Sequence, residues 1–173
     1  KLINPMTDDH ECVRPSLIPS LLDVVSYNLA HQNEDFGIYE TSDININNKK
    51  ETYLGIALTG EEKHQGELVK VPYSFYSLKG YLEGIMSLLG ISKSRYQLKE
   101  WDLGGIELHP GRSATLHLNK ELIGYLGELH PSSYPTYNIM NHKVYVMEIK
   151  LSTLLNLVSG SEKFKPISRF PIV

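Results

Sequence analysis

The sequence predicts an α+β domain with a mostly antiparallel sheet and flanking helices. Several short segments alternate apolar and polar residues and are separated by turn-forming clusters, as half-buried strands are. Only a few segments carry helical apolar spacing, and they are interspersed among the strands rather than alternating with each one. A chain of 173 residues with 41% hydrophobic and 21% charged residues suits one domain with a buried core.

The first helix is expected in "RPSLIPSLLDVVSYNLAHQN". Leu17, Leu21, Val24, Val25 and Leu29 lie close to helical spacing, Ser16 is a candidate N-cap, and Pro19 falls in the first turn, where a missing N–H costs nothing. "DFGIYETSDININ" alternates Phe36 and Ile38 and, less cleanly, Ile44 and Ile46. With the polar turn "NNKKE" and the run "TYLGIALTG", Asp35 to Gly60 reads as a hairpin. "EEKHQGELVKVPYS" reads as a loop. A second helix follows in "FYSLKGYLEGIMSLLG", where Leu78, Leu82, Ile85 and Leu89 form one stripe and Gly90 stops it. "RYQLKEWDL" and "GGIELHPGR" read as short extended pieces. "SATLHLN" and "ELIGYLGELH" read as strands joined at Asn119 and Lys120. "PSSYPTYNI" is a short helical connection, "HKVYVMEI" a further strand, and "LSTLLNLVS" a closing helix.

Charge and composition exclude several function classes. A net charge of −3, with the only basic cluster at Lys163, Lys165 and Arg169, disfavours unaided nucleic-acid binding, which needs cations against phosphates. No apolar run approaches the roughly 20 residues of a membrane-spanning helix. The single cysteine, Cys12, excludes an internal disulfide and fits a reducing, cytoplasmic setting. The chain begins without methionine and ends on the apolar "SRFPIV", so it reads as a piece of a larger polypeptide.

The residues with chemical potential concentrate in "ELHPGRSATLHLNKELIGYLGELHP", which repeats Glu-Leu-His-Pro with unlike flanks. His109, His117 and His130 are not at helical ligand spacing, so turn or surface positions outweigh a zinc site, although ligands scattered in sequence can converge in space. Cys12 has acidic neighbours that raise a thiol pKa, Ser113 lacks the nucleophile-elbow pattern, and "DLGGIELHPG" is a turn rather than a phosphate loop. Arg14 and Arg112 stand at corners next to proline or glycine. There a guanidinium can clamp carbonyls or a carboxylate, or meet an anion or partner, and the clamp is favoured. At His109-Pro110-Gly111-Arg112 the clamp reading has Pro110 preset φ and Gly111 adopt a conformation closed to other residues, with Arg112 tying the corner.

"LINPMTDDHECVRPSLIPSLLDVVSYNLAHQNEDFGIYETSDI" resembles the beta subunit of bacterial phenylalanyl-tRNA synthetase through Asn4, Pro5, Arg14, Ser16, Leu17, Pro19, Leu21, Leu22, Asn28, Leu29 and Glu40. Tyr39 stands where phenylalanine is usual, and Thr41 or Ser42 replaces a glycine region. "SLKGYLEGIMSLLGI", "HPGRSA" and "IGYLGELHP" follow in the family's order. The resemblance implies that residues 1–162 form the catalytic-like domain, with a class II aminoacyl-tRNA-synthetase-like fold. It implies that 163–173 are a linker and the start of an anticodon-binding-like domain. It further implies an alpha-subunit partner in an (αβ)2 holoenzyme that uses ATP and Mg and meets tRNA, with neither cofactor nor tRNA bound by this domain alone.

The place of motif 2 in such a fold is the hairpin, which contains no arginine. The place of motif 3 is "VYVMEIKLSTLLNL", which lacks both the glycines and the arginine and carries Met147, Glu148 and Ile149. Charge developing at a phosphorus there would be uncompensated, and Glu148 would repel it. The expected role is therefore non-catalytic scaffolding, with Arg14, Asn28, Glu40, His109 and Arg112 as candidate structural or interface residues. The alternatives are an active ATP-dependent class II ligase domain and, further off, a metal-dependent hydrolase built on the histidines.

Overall fold

The computed structural model describes residues 15–46, 49–62, 70–103, 107–139 and 142–159. Arg14 and Cys12, together with the C-terminal residues 160–173, lie outside the described residues. Among the described residues there are eight strands and three α-helices: α1 (Ile18–Ala30), β1 (Phe36–Ile46), β2 (Lys49–Thr59), β3 (Glu61–Glu62), β4 (Val71–Pro72), α2 (Phe75–Leu88), β5 (Tyr96–Glu100), β6 (Leu108–Leu118), β7 (Glu121–Leu129), β8 (Val144–Lys150) and α3 (Leu151–Ser159). Six strands form one sheet in the order β1-β2-β8-β7-β6-β5, and every pairing is antiparallel. The loop expected before α2 contains instead the small ribbon β3–β4.

The sheet is covered on both faces. Ile18, Leu21, Leu22 and Val25 of α1 pack with Ala57, Val144 and Val146 on one face. Leu78, Leu82 and Met86 of α2, with Leu154 of α3, pack with Leu58, Tyr145, Met147 and Ile149 on the other. Strand alternation decides this division, because successive side chains of β8 point to opposite faces. β8 is central and buried along nearly its whole length, which explains its almost continuous apolar run.

The expected hairpin is present as β1–β2 with Phe36 opposite Thr59. Asn119 and Lys120 both have positive φ (48° and 76°), the backbone a two-residue turn between twisted strands requires. Gly90 (φ 68°) ends α2 just past Leu89, as a left-handed helix terminator does.

Four expectations are corrected. Leu17, not Ser16, occupies the N-cap of α1, and Ser16 accepts from the Ile18 N–H at 3.1 Å from one residue further out. Val24, placed in the buried stripe of α1, is 45% exposed, since it lies at the edge of a narrower apolar face. "ELHPGR" does not end one extended piece before another begins: Leu108–Leu118 is one strand, with a register break between Leu108 and Ser113. Gly111 does not have positive φ, so the bulge does not depend on a glycine-only conformation.

Candidate functional site

Two buried carboxylates organise the polar interior. Glu148 and Glu128 are 4% and 3% exposed, and a carboxylate taken so far from water must be hydrogen-bonded. Glu148 projects from β8 toward α1, between Gly55 of β2 and Tyr125 of β7. Its oxygens accept from the Leu17 N–H at 2.6 Å, from the Ser16 hydroxyl at 3.0 Å and from the Tyr125 hydroxyl at 3.0 Å. Burial, with the Glu148 charge beside it, pushes the Tyr125 hydroxyl far above the ordinary tyrosine range, so it remains a donor. The start of α1 can approach this closely because Gly55 has no side chain. A Cβ there would sit 2.8 Å from Leu21 Cδ1 and 3.1 Å from Leu17 Cβ.

Glu128, on β7, is held by Arg112 of β6, whose Nη1 donates to both carboxylate oxygens at 2.9 and 2.8 Å. The pair lies at the edge of an open cleft of about 460 Å3 that also includes Tyr76, Lys143 and Tyr145. The Arg112 side chain is 49% exposed, so one end of the clamp is wet and the other dry. Burial, with the neighbouring Glu128, raises the Tyr145 hydroxyl above its ordinary range.

The doubled Glu-Leu-His-Pro has a structural explanation. The two copies run side by side: Leu108 opposes Leu129, both buried, and the His130 N–H donates to the Glu107 carbonyl at 2.9 Å. His130 Nδ1 accepts from the Ser132 N–H at 3.2 Å, capping the turn Pro131–Ser133, and the Ser132 hydroxyl donates to Glu107. His109 Nδ1 accepts from the Gly111 N–H at 3.2 Å, and its ring lies 6.2 Å from that of His130. His117 contacts the Thr115 hydroxyl through Nε2 at 3.1 Å, and among the described residues its buried Nδ1 has no hydrogen-bond partner. Among the described residues no three His, Cys, Asp or Glu side chains gather as metal ligands would.

The remaining candidates are dispersed. Asn28 works locally at the end of α1, donating to the Val24 carbonyl and accepting from Asn33, both at 2.9 Å. Glu40 lies on the outer strand β1, opposite Gly55. Sequence reasoning missed Glu148 as an anchor and Glu128 as the partner of Arg112. In each case the available signal was a lone carboxylate inside an otherwise apolar run of a strand, "VYVMEI" and "YLGEL".

A family model described as the phenylalanyl tRNA synthetase beta chain CLM domain matches residues 1–151. The chain belongs to that family. Phenylalanine–tRNA ligase beta subunits of Listeria monocytogenes and Geobacillus kaustophilus are 34% and 33% identical to it, over 96% and 100% of its length. The chain spans only 21% and 22% of those relatives. A pyrrolysyl tRNA synthetase from Desulfitobacterium hafniense superimposes with a TM-score of 0.62 at 14% identity, covering 86% of this chain and 51% of that one. At that identity the likeness concerns the fold alone, and the fold is the class II synthetase-like sheet that the resemblance implied.

The two segments at which the resemblance puts motifs 2 and 3 adjoin in the sheet. The hairpin β1–β2 pairs with β8, and Gly55 opposes Glu148. No arginine occurs in β1, β2 or β8. The buried charge at the junction is the carboxylate of Glu148, its oxygens already committed to α1 and Tyr125. These residues do not fit a nucleotide triphosphate, whose phosphates would meet a carboxylate with no guanidinium beside it in these strands.

Proposed function

We propose that this chain is a non-catalytic domain of a phenylalanine–tRNA ligase beta subunit. In this reading it scaffolds assembly with the catalytic alpha subunit in an (αβ)2 enzyme of the cytoplasm. ATP, Mg and tRNA(Phe) are handled by the holoenzyme rather than by this domain. The observation that carries the reading is Glu148. Where a class II ligase needs cations to balance charge developing at phosphorus, this chain buries an anion and uses it to hold α1. Residues 1–162 are the catalytic-like unit, and 163–173 lead toward an anticodon-binding-like module.

Helix surfaces supply the contact with alpha. Val24 and Tyr27 on α1, Leu88 on α2 and Leu155 on α3 are large apolar side chains exposed by 45%, 65%, 87% and 47%. Co-expression with the alpha subunit and co-purification tests this directly. Val24→Asp with Tyr27→Asp is expected to reduce heterotetramer recovery while the domain stays folded. Assembly that persists with charges on all three helices, or pyrophosphate exchange above background by the chain alone, would sink the proposal.

A further inference from the structure

The cleft of about 460 Å3 at the Arg112–Glu128 pair is lined by Phe75 and Tyr76 from the first turn of α2, and by Lys143 and Tyr145 at the start of β8. Among the described residues that line it, Glu128 is the sole acid, and Arg112 and Lys143 are the two cations. Glu128 is already committed: it is 3% exposed, and both its oxygens accept from Arg112 Nη1 at 2.9 and 2.8 Å. Those bonds use one nitrogen of the guanidinium. Nη2 and Nε have no acceptor among the described residues, and the side chain is 49% exposed. Lys143 is exposed and makes neither an ion pair nor a side-chain hydrogen bond among the described residues.

The charge of this cleft has a sign and a size. Arg112 and Glu128 cancel as a pair, which leaves the full charge of Lys143. The end of α2 that lines the cleft is its N-terminus, and the N–H groups of Phe75 and Tyr76 have no acceptor among the described residues. That end carries about half a positive charge from the aligned peptide dipoles, so with Lys143 the sum is about +1.5. It repels a cation, and a carboxylate with its single negative charge leaves part of it unbalanced. A phosphate monoester carries about −1.5 to −2 at neutral pH and matches it. The donors match as well: a guanidinium offers a fixed fork of N–H groups suited to phosphate oxygens, and the flexible lysine stem can bring its ammonium to another. The cleft volume falls in the range of small-molecule sites, so the organic part of the ester has room beside Phe75, Tyr76 and Tyr145.

We propose that this cleft binds the phosphate group of a small phosphate monoester, held by Arg112, by Lys143 and by the start of α2. Arg112 then has two roles at once, a clamp on Glu128 through Nη1 and an anion contact through Nη2 and Nε. The site is independent of the scaffolding role and would stand if that role were disproved.

The test uses phenyl phosphate and phenyl sulfate, alike in shape but with less charge on the sulfate, titrated into the 173-residue chain at constant ionic strength and followed by NMR. Phenyl phosphate is expected to give saturable shifts at the Phe75 and Tyr76 amides, and phenyl sulfate to bind about three- to tenfold more weakly. Lys143 is exposed and unpaired among the described residues, so Lys143→Gln leaves the fold intact. It is expected to weaken phenyl phosphate about three- to tenfold and to narrow the gap between the two probes. Lys143→Arg, which keeps the charge, retains the preference for the phosphate. No saturable shift at the first turn of α2, equal affinity for the two probes, or undiminished phenyl phosphate binding in Lys143→Gln would each overturn the proposal.

Discussion

Replacing Glu148 by alanine removes the acceptor for three donors at once: the Leu17 N–H, the Ser16 hydroxyl and the Tyr125 hydroxyl. Leu17 is fully buried and the bond is 2.6 Å long, so water cannot substitute without opening the junction of α1 with the sheet. A buried donor left unsatisfied costs about 1–3 kcal/mol, and the Leu17 N–H qualifies. The Tyr125 and Ser16 hydroxyls are half-buried and find water more easily, so each adds less. The favourable loss of a buried charge offsets part of this, leaving an expected destabilisation of about 1–4 kcal/mol for Glu148→Ala. Glu148→Gln keeps one acceptor for Leu17, and the Tyr125 hydroxyl can rotate to accept from the new amide, so about 1–2 kcal/mol is expected. Urea denaturation of both variants measures the order, with the Leu17 amide resonance as the local probe. A Glu148→Ala cost below about 1 kcal/mol, or a Gln variant worse than the Ala variant, would refute the anchoring argument.

Three further outcomes follow from the same geometry. Arg112→Ala strands the buried Glu128 carboxylate and should lower the unfolding midpoint more than His109→Ala does, while adding Glu128→Leu to it should recover part of the loss; equal midpoints for the two single variants would contradict the clamp. Hydrogen bonds from Ser152 and Lys150 hold the Glu51 carboxyl below its ordinary range, so this junction of β2 with α3 stabilises the fold above the usual carboxylate pKa and loses that contribution as pH falls through the depressed value. Acid titration of stability in wild type and Ser152→Ala checks this, and the variant should lose less stability on acidification. Gly124→Ala would drive a Cβ into the Glu148 carbonyl and to 3.0 Å from Ile149 Cα, so it should be severely destabilising, whereas Gly84→Ala enters open space on α2 and should stabilise by about 0.5–1 kcal/mol in thermal melts.

Local pattern determined much of this protein. Alternation along "GIYETSDI" and "TYLGIALT", the turn at Asn119-Lys120 and the stripe of α2 are properties of neighbouring residues, so the hairpin, the β6–β7 turn and the helix were legible in order. The missing arginines were equally legible, because a motif place can be checked for a residue type without knowing where the chain goes. Of the histidines of the doubled Glu-Leu-His-Pro, His130 could be set at a turn, whereas His109 lies within β6; that the two copies pair with each other is a matter of strand register, joining residues 21 positions apart through Leu108 and Leu129. Arg112 could be read as a clamp, while its partner, 16 residues away, depended on which face of β7 carried Glu128. Glu148 changed most. In sequence it was a charge that would repel a phosphate. In the fold it is the acceptor that fastens α1, 131 residues earlier, to the central strand. A buried carboxylate has meaning only through the donors that surround it, and those donors are brought together by sheet order and helix packing.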